Sequence, residues 1–332
     1  MKKLLTICAV VAAVLVLNGT AEAIIVDTVA VGNAGNTADT HGAGYGAVDY
    51  AYNMGKYEVT AGQYTAFLNA VAATDTYGLY GTDMSPSSGF NCGITRTEVT
   101  GNPYGTYSYS VDSSFANRPV NNTTWGDAAR FTNWMANGQL VGAQTSATTE
   151  DGSYYLNGAT SQSALMAVTR KAGATWVLPT EDEWYKAAYY DAANTRYYNY
   201  ATGSDTKPSN TIVDPDGGNN ANINLAIDSP FWTVVGEFEN SESPYGTFDQ
   251  TGNINEWTES AYDVSNRIKR GGSRFNVPSG YLETYDIDCD YNHLSPSSEY
   301  YSDGFRVAQV PEPATLCLLG LGGLLLRRRK HS

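Results

Sequence analysis

Histidine is almost absent from this chain: His41, His293 and His331 are the only three in 332 residues. That is too few for a histidine-rich iron site. Basic residues are also scarce, 20 Lys and Arg against 34 Asp and Glu. Such an acidic chain is a poor partner for nucleic acid or an anionic bilayer and a good one for divalent cations. Between the two ends no apolar run is long enough to span a bilayer. No glycine-rich loop has the spacing of a phosphate cradle. The serines of PSSGF (86–90) and of Gly271-Gly272-Ser273 have no evident His and Asp partners for nucleophilic catalysis.

What is present at the ends has a plain reading. MKKLLTICAVVAAVLVLNGTAEA opens with two lysines, continues with an apolar run from Leu4 to Leu17, and closes on Ala21-Glu22-Ala23. This is the layout of a secretory signal peptide over residues 1–23, cut after Ala23. An uncleaved anchor helix is the alternative, with a run short of the roughly 20 residues a span needs. At the other end, Pro311-Glu312-Pro313 precedes thirteen apolar or small residues (314–326), then Arg327, Arg328, Arg329 and Lys330. The order resembles the bacterial PEP-CTERM sorting tail (310–332). That resemblance implies processing by an exosortase, contact with the membrane only through the tail, and a cell-surface or extracellular-matrix destination. A permanent tail anchor is the competing reading. Without both ends, 14 basic residues face 32 acidic ones, a balance of −18.

Cys8 and Cys317 lie in the two removed segments, which leaves Cys92 and Cys289. In an exported protein a lone pair of cysteines suggests a disulfide. This one would close a loop of nearly two hundred residues, for about 4–5 kcal/mol in the chain-entropy picture. Two unrelated buried thiols are the other possibility.

Residues 24–50 read as an extended lead-in rich in Gly, Ala, Asn and Asp. Three helices are predicted beyond it. TAGQYTAFLNAVAAT is capped by Thr60, with Tyr64, Phe67, Leu68 and Val71 on one face. TWGDAARFTNWMANG is capped by Thr124, presents Ala128, Phe131 and Met135, and stops at Gly138. TEDEWYKAAYYD carries a Thr180–Glu183 capping box ahead of Trp184 and Ala187. Strand-like pieces are short: SYYLN, TWVL, WTVVG, RIKR and FRVAQ. The fold class is α+β, one domain rich in irregular loops. The 25 tyrosines suit such a fold, because the ring fills space while the hydroxyl finds a carbonyl.

Six motifs follow one another over residues 54–308: MGKYEVTAGQYTAFLNAV, RPVNNTTWGDAARFTNWM, WVLPTEDEWYKAA, SPYGTFDQTGNINEWTES, RIKRGGSRF and DGFRVA. Together they resemble the sulfatase-modifying factor, or formylglycine-generating enzyme, domain. The resemblance implies a single domain over 51–309 with a fold related to C-type lectins. Active members oxidise a cysteine of a client sulfatase, using copper held by two cysteines just after Arg-Gly-Gly-Ser. Soft thiolates select Cu(I). Here those two positions are Asn276 and Tyr281, and neither offers a thiolate. A pocket tryptophan of the family is replaced by Asn255. The expectation is therefore a degenerate, non-catalytic site without copper. Asn255, Ser273, Arg274 and Tyr281 would line a cleft for an extracellular polysaccharide or protein. A metal-dependent oxidase acting on protein cysteines, with Cys289 as its single thiolate, is the alternative.

The family's calcium sites carry over onto two stretches. In one, Asp249 and Glu256 supply carboxylates, with the carbonyls of Gly252 and Ile254. In the other, Asn222 and Asp228 supply side chains, with the carbonyls of Ile223 and Pro230. Oxygen ligands from a loop suit calcium; a tight turn with Glu256 on backbone amides is the other reading of the first stretch.

Overall fold

The structure is a computed structural model and describes residues 23–40, 44–99, 106–275 and 293–311. Two four-stranded sheets frame it. The first has the order β1 (Thr28–Val31), β2 (Tyr52–Gly55), β12 (Ala308–Gln309), β5 (Trp176–Val177), all neighbours antiparallel. Its inner strand β2 is therefore flanked by the first and last strands of the chain. The second has the order β10 (His293–Leu294), β9 (Arg267–Arg270), β8 (Asn255–Ala261), β11 (Asp303–Gly304). A hairpin of β3 (Ile94–Val99) and β4 (Thr106–Val111) and a small pair of β6 (Tyr190–Asp191) and β7 (Arg196–Tyr197) stand apart.

The three predicted helices are present as α1 (Ala61–Val71), α2 (Trp125–Ala136) and α4 (Glu181–Tyr189). Each begins with a threonine whose hydroxyl accepts from the backbone N–H three residues on, and each closes a capping box, with Gln63, Asp127 and Glu183. Gly138 follows α2 at φ +75°, a conformation glycine adopts without strain. The short α3 (Gln162–Met166) was not expected.

Tyr64, Phe67, Leu68, Phe131, Trp134 and Phe305 form the centre of the main core, all at most 1 % exposed. Most of their rings meet edge-on or tilted, as between Phe67 and Phe131 at 5.3 Å and Phe131 and Phe305 at 5.3 Å, while Tyr64 stacks on Phe131 at 6.3 Å, arrangements the ring quadrupole favours. α1 and α2 thus share one aromatic seam with the segment that leads into β12.

Long irregular segments are held by side chains in place of ladders. Asn133 Nδ2 donates to the carbonyls of Thr149 and Tyr154 while its Oδ1 accepts from Tyr154 N. Arg130 forks onto Glu150 at 2.7 and 3.1 Å inside the core. Arg170 pairs with Glu183 and Glu259, and Tyr50 donates to Glu183. This hub ties the lead-in to α4 and β8.

Candidate functional site

The stretch Arg270-Gly271-Gly272-Ser273 turns sharply out of β9, with φ +92° and +69° at its glycines. Arg270 is buried, pairs with Glu181 of α4, and lies over the rings of Tyr45 and Tyr185. Ser273 is buried and its Oγ accepts from Phe275 N at 3.4 Å. Beyond it the chain is pinned on both faces: Arg274 N donates to Asn253 O at 3.1 Å, and Leu225 N donates to Arg274 O at 2.8 Å.

Arg274 and Asn255 lie on segments joined through Asn253, whose carbonyl accepts from Arg274 N. The Arg274 guanidinium lies over Phe231 and Phe275 at 4.8 and 4.7 Å, and Nη2 donates to Ile227 O at 2.5 Å. Burial lowers its pKa, opposed by the charge of Asp228. Asn255 Nδ2 donates to Ser302 Oγ and Asp303 Oδ1, both at 3.1 Å. Lys269 Nζ grips both oxygens of Asp303 at 2.8 Å. Burial raises the Asp303 carboxyl and the lysine charge opposes it. Asn276, Tyr281 and Cys289 lie outside the described residues.

Sequence reasoning missed the rings that wall this place. Phe275 packs on Trp232, Tyr301 and Phe90, and Phe90 in turn on Tyr301 and Phe231, with centroids 4.7–5.9 Å apart. Adjacent aromatics at Phe231-Trp232 and Tyr300-Tyr301 were the available signal. The Arg118-Pro119-Val120-Asn121-Asn122 motif explains how they are held: Asn121 Nδ2 donates to the carbonyls of Phe90 and Tyr301, at 3.0 and 2.8 Å, and Asn122 Nδ2 to Phe90 O. Asn122 adopts φ +56°, a left-handed conformation asparagine tolerates.

Among the described residues three polar atoms in this cluster are buried without a hydrogen-bond partner: Asn255 Oδ1, Arg274 Nε and Trp232 Nε1. An unmet buried donor or acceptor costs about 1–3 kcal/mol, so each such atom calls for an explanation.

The two stretches assigned to calcium also meet. Asn253 N donates to Asn222 O at 2.9 Å, and Asn222 Nδ2 donates to Asn253 Oδ1 at 3.0 Å. Gly252 permits this approach: a Cβ there would stand 2.5 Å from Asn222 O.

Glu256 does not fit the first calcium set. Its carboxylate is wholly buried and forked by Arg306, Nε to Oε2 at 2.5 Å and Nη2 to Oε1 at 2.6 Å. Trp184 Nε1 adds a third donor at 2.7 Å. A divalent ion there would face a guanidinium and find three of the carboxylate's four lone pairs taken. The reading of Glu256 on backbone amides is corrected likewise, since its partners are side chains. Asp249 accepts from Gly236 N at 2.6 Å, and burial pushes its carboxyl up to about 6. Its neighbour is the buried Glu58, raised well above the ordinary range by burial and by Asp249.

The second set fits better. Among the described residues Asn222 Oδ1 is buried and has no partner, an acceptor in want of a donor or a cation. Asp228 is exposed. The Ile223 carbonyl accepts from Ala226 N at 3.1 Å and that of Pro230 from Trp232 N at 2.8 Å, which leaves each a further lone pair. Among the described residues no three His, Cys, Asp or Glu side chains group as a metal centre.

Cys92 is a buried free thiol, pushed up to about 12 by burial, with Sγ 3.9 Å from Asn121 O.

Fold and site together define an α+β domain of the formylglycine-generating type, with Arg-Gly-Gly-Ser at a sheet exit beside Gly-Asn-x-x-Glu-Trp. The chain belongs to the family of the sulfatase-modifying factor enzyme 1-like domain, whose model matches residues 15–310. A PEP-CTERM protein-sorting motif matches residues 309–330 and marks the protein as exported and directed to the cell surface. The crystal structure of CarF is similar at TM-score 0.54 and 20 % identity, covering 86 % of this chain and 99 % of that one. The variable protein 1 of Treponema denticola is similar at TM-score 0.51 and 18 % identity, covering 88 % and 98 %. At these identities the likeness concerns the fold. No curated protein matches in sequence.

Proposed function

We propose that this protein is a non-catalytic binding module of the cell surface or extracellular matrix, holding a polysaccharide in the cleft around Arg274 and Asn255. The supporting observation is the set of unmet buried groups, two N–H donors and one carbonyl acceptor, set among aromatic rings. Sugars present hydroxyls that both donate and accept, and an apolar face that packs on rings. The loss of thiolates at Asn276 and Tyr281 supports the absence of cysteine oxidation.

The test is calorimetric titration of the mature protein with the polymers of its own matrix. Saturable binding that Arg274→Ala weakens by tenfold or more is expected. Equal binding by the variant, or none by the parent, overturns the reading; a protein ligand would show instead as retention on matrix proteins.

Calcium belongs to this proposal at the second set. An ion on Asn222 Oδ1, the carbonyls of Ile223 and Pro230, and Asp228 would order the loop beneath Arg274. Elemental analysis of protein purified without chelators should find near-stoichiometric calcium, and Asn222→Ala should remove it. Retention by that variant would rule out Asn222 as a ligand.

A further inference from the structure

The tail leaves the domain from an inner strand, and that leaves it no slack. β12 is paired on both sides, Ala308 with Met54 and with Val177. Past it, Val310 N donates to Thr175 O at 2.9 Å, and Asn53 Nδ2 reaches the Gln309 side chain at 3.3 Å. Paying out more chain would mean pulling an inner strand from its sheet. The apolar stretch of the tail begins at Ala314. From Gln309 to Ala314 is five residue steps, at most about 18 Å fully extended.

An enzyme that acts on the Pro-Glu-Pro segment while the apolar stretch sits in a bilayer must work inside that gap. Even a compact 100-residue domain has a radius of gyration of about 13 Å, so it is wider than the gap. The chain emerges at Pro311 between two hollows, which that residue lines on both sides. One, of about 400 Å³, is bordered by Gly32, Asn53 and Thr175; the other, of about 150 Å³, by Tyr50, Lys171 and Gly173.

We infer that the membrane-embedded enzyme processing the tail docks on the folded domain itself, against the rim around Pro311. Processing then depends on residues far outside the sorting motif. The inference rests on the tail being processed at all.

Gly32 and Lys171 are the probes. A Cβ at Gly32 meets nothing within 4 Å and its φ is not positive, so Gly32→Arg adds bulk without a clash at Cβ. The Lys171 side chain is 43 % exposed and pairs with Asp151 at 2.6 Å, so Lys171→Glu reverses a charge on the rim and gives up an exposed ion pair of small weight. The full chain is expressed in its own host, and conversion of precursor to mature form is followed by pulse-chase. A second set carries a 15-residue Gly-Ser linker between Val310 and Pro311, which adds a root-mean-square reach of about 20 Å. At native spacing both substitutions should slow conversion several-fold, and with the linker they should have no effect. Unchanged conversion at native spacing overturns the inference. So does slowing that persists with the linker, because it reports impaired folding or export. A parent chain that is never converted would refute the processing of the tail, a separate failure.

Discussion

Glu256 shows most directly how a single residue is committed in this domain. It stands in a loop motif that suggests a metal ligand, yet its partners are Arg306 and Trp184. The distinction carries a prediction. In Glu256→Gln the Arg306 guanidinium stays buried without the carboxylate it forks, and removing one partner of a buried pair costs about 3–5 kcal/mol. Urea denaturation should show that loss with or without added calcium. A loss that calcium changes would return Glu256 to the ligand set. Gly252 is as tightly constrained, by φ +85° and by the carbonyl of Asn222. Gly252→Ala should destabilise by well over the ~1 kcal/mol of an ordinary left-handed glycine, because the 222 and 252 loops must part. Should it prove neutral, the two loops do not approach as described.

The elements of the fold divide by how locally they are determined. The helices were legible because caps, stops and apolar faces lie within a dozen residues of one another. Thr124→Ala should cost about 1 kcal/mol and Thr124→Ser should recover most of it, since the hydroxyl serves both Asp127 N and the box; equal loss in both variants would mean the methyl packing matters more than the cap. Strands were legible only in part. RIKR became β9 and TWVL contains β5, but WTVVG forms no strand and SYYLN contributes a single bridge, Tyr154 to Arg170. The longest strand, β8, was hidden inside NEWTESA, where the first four residues are buried on both faces and no alternation appears. The hairpin β3–β4 was missed because ITRTEV and TYSYSV are largely polar. Asn255 and Arg274 were singled out by the family motifs. Phe90, Phe231, Trp232 and Tyr301 come from three distant segments, and only the asparagines at 121 and 122 reveal what gathers them.

For the molecule as a whole, acidity has a consequence in pH. Burial lifts Asp127 to about 6, and at Glu299, an exposed residue whose carboxyl is partly screened from water beside Asp127, Asp83 and Asp75, the same causes act toward about 7, against ordinary carboxyl values near 4. The native state therefore holds extra protons between about pH 4 and 7, and their contribution to stability is fully present below 4 and lost as pH rises through 6 and 7. Glu183, held low by Arg170 against its burial, acts in the opposite sense and is weakened only under stronger acid. The melting temperature should be higher at pH 5 than at pH 8, and Glu299→Gln should flatten that slope. A melting temperature that rises between pH 5 and 8 would contradict the assignment.

The use of asparagine amides to hold loops in place of ladders also sets how the protein ages. Asn137 precedes Gly138, a pairing prone to spontaneous deamidation, and its Nδ2 donates to the carbonyls of Thr148 and Asp151 at 2.9 and 2.7 Å. Hydrolysis to aspartate would replace that donor with a charged acceptor facing two carbonyls, loosening the 145–151 loop from α2. Peptide mapping of stored protein should find this site protected while the fold holds and converted once heat opens it. A protein resident for long outside the cell would then carry, at this one amide, a record of how often it has come undone.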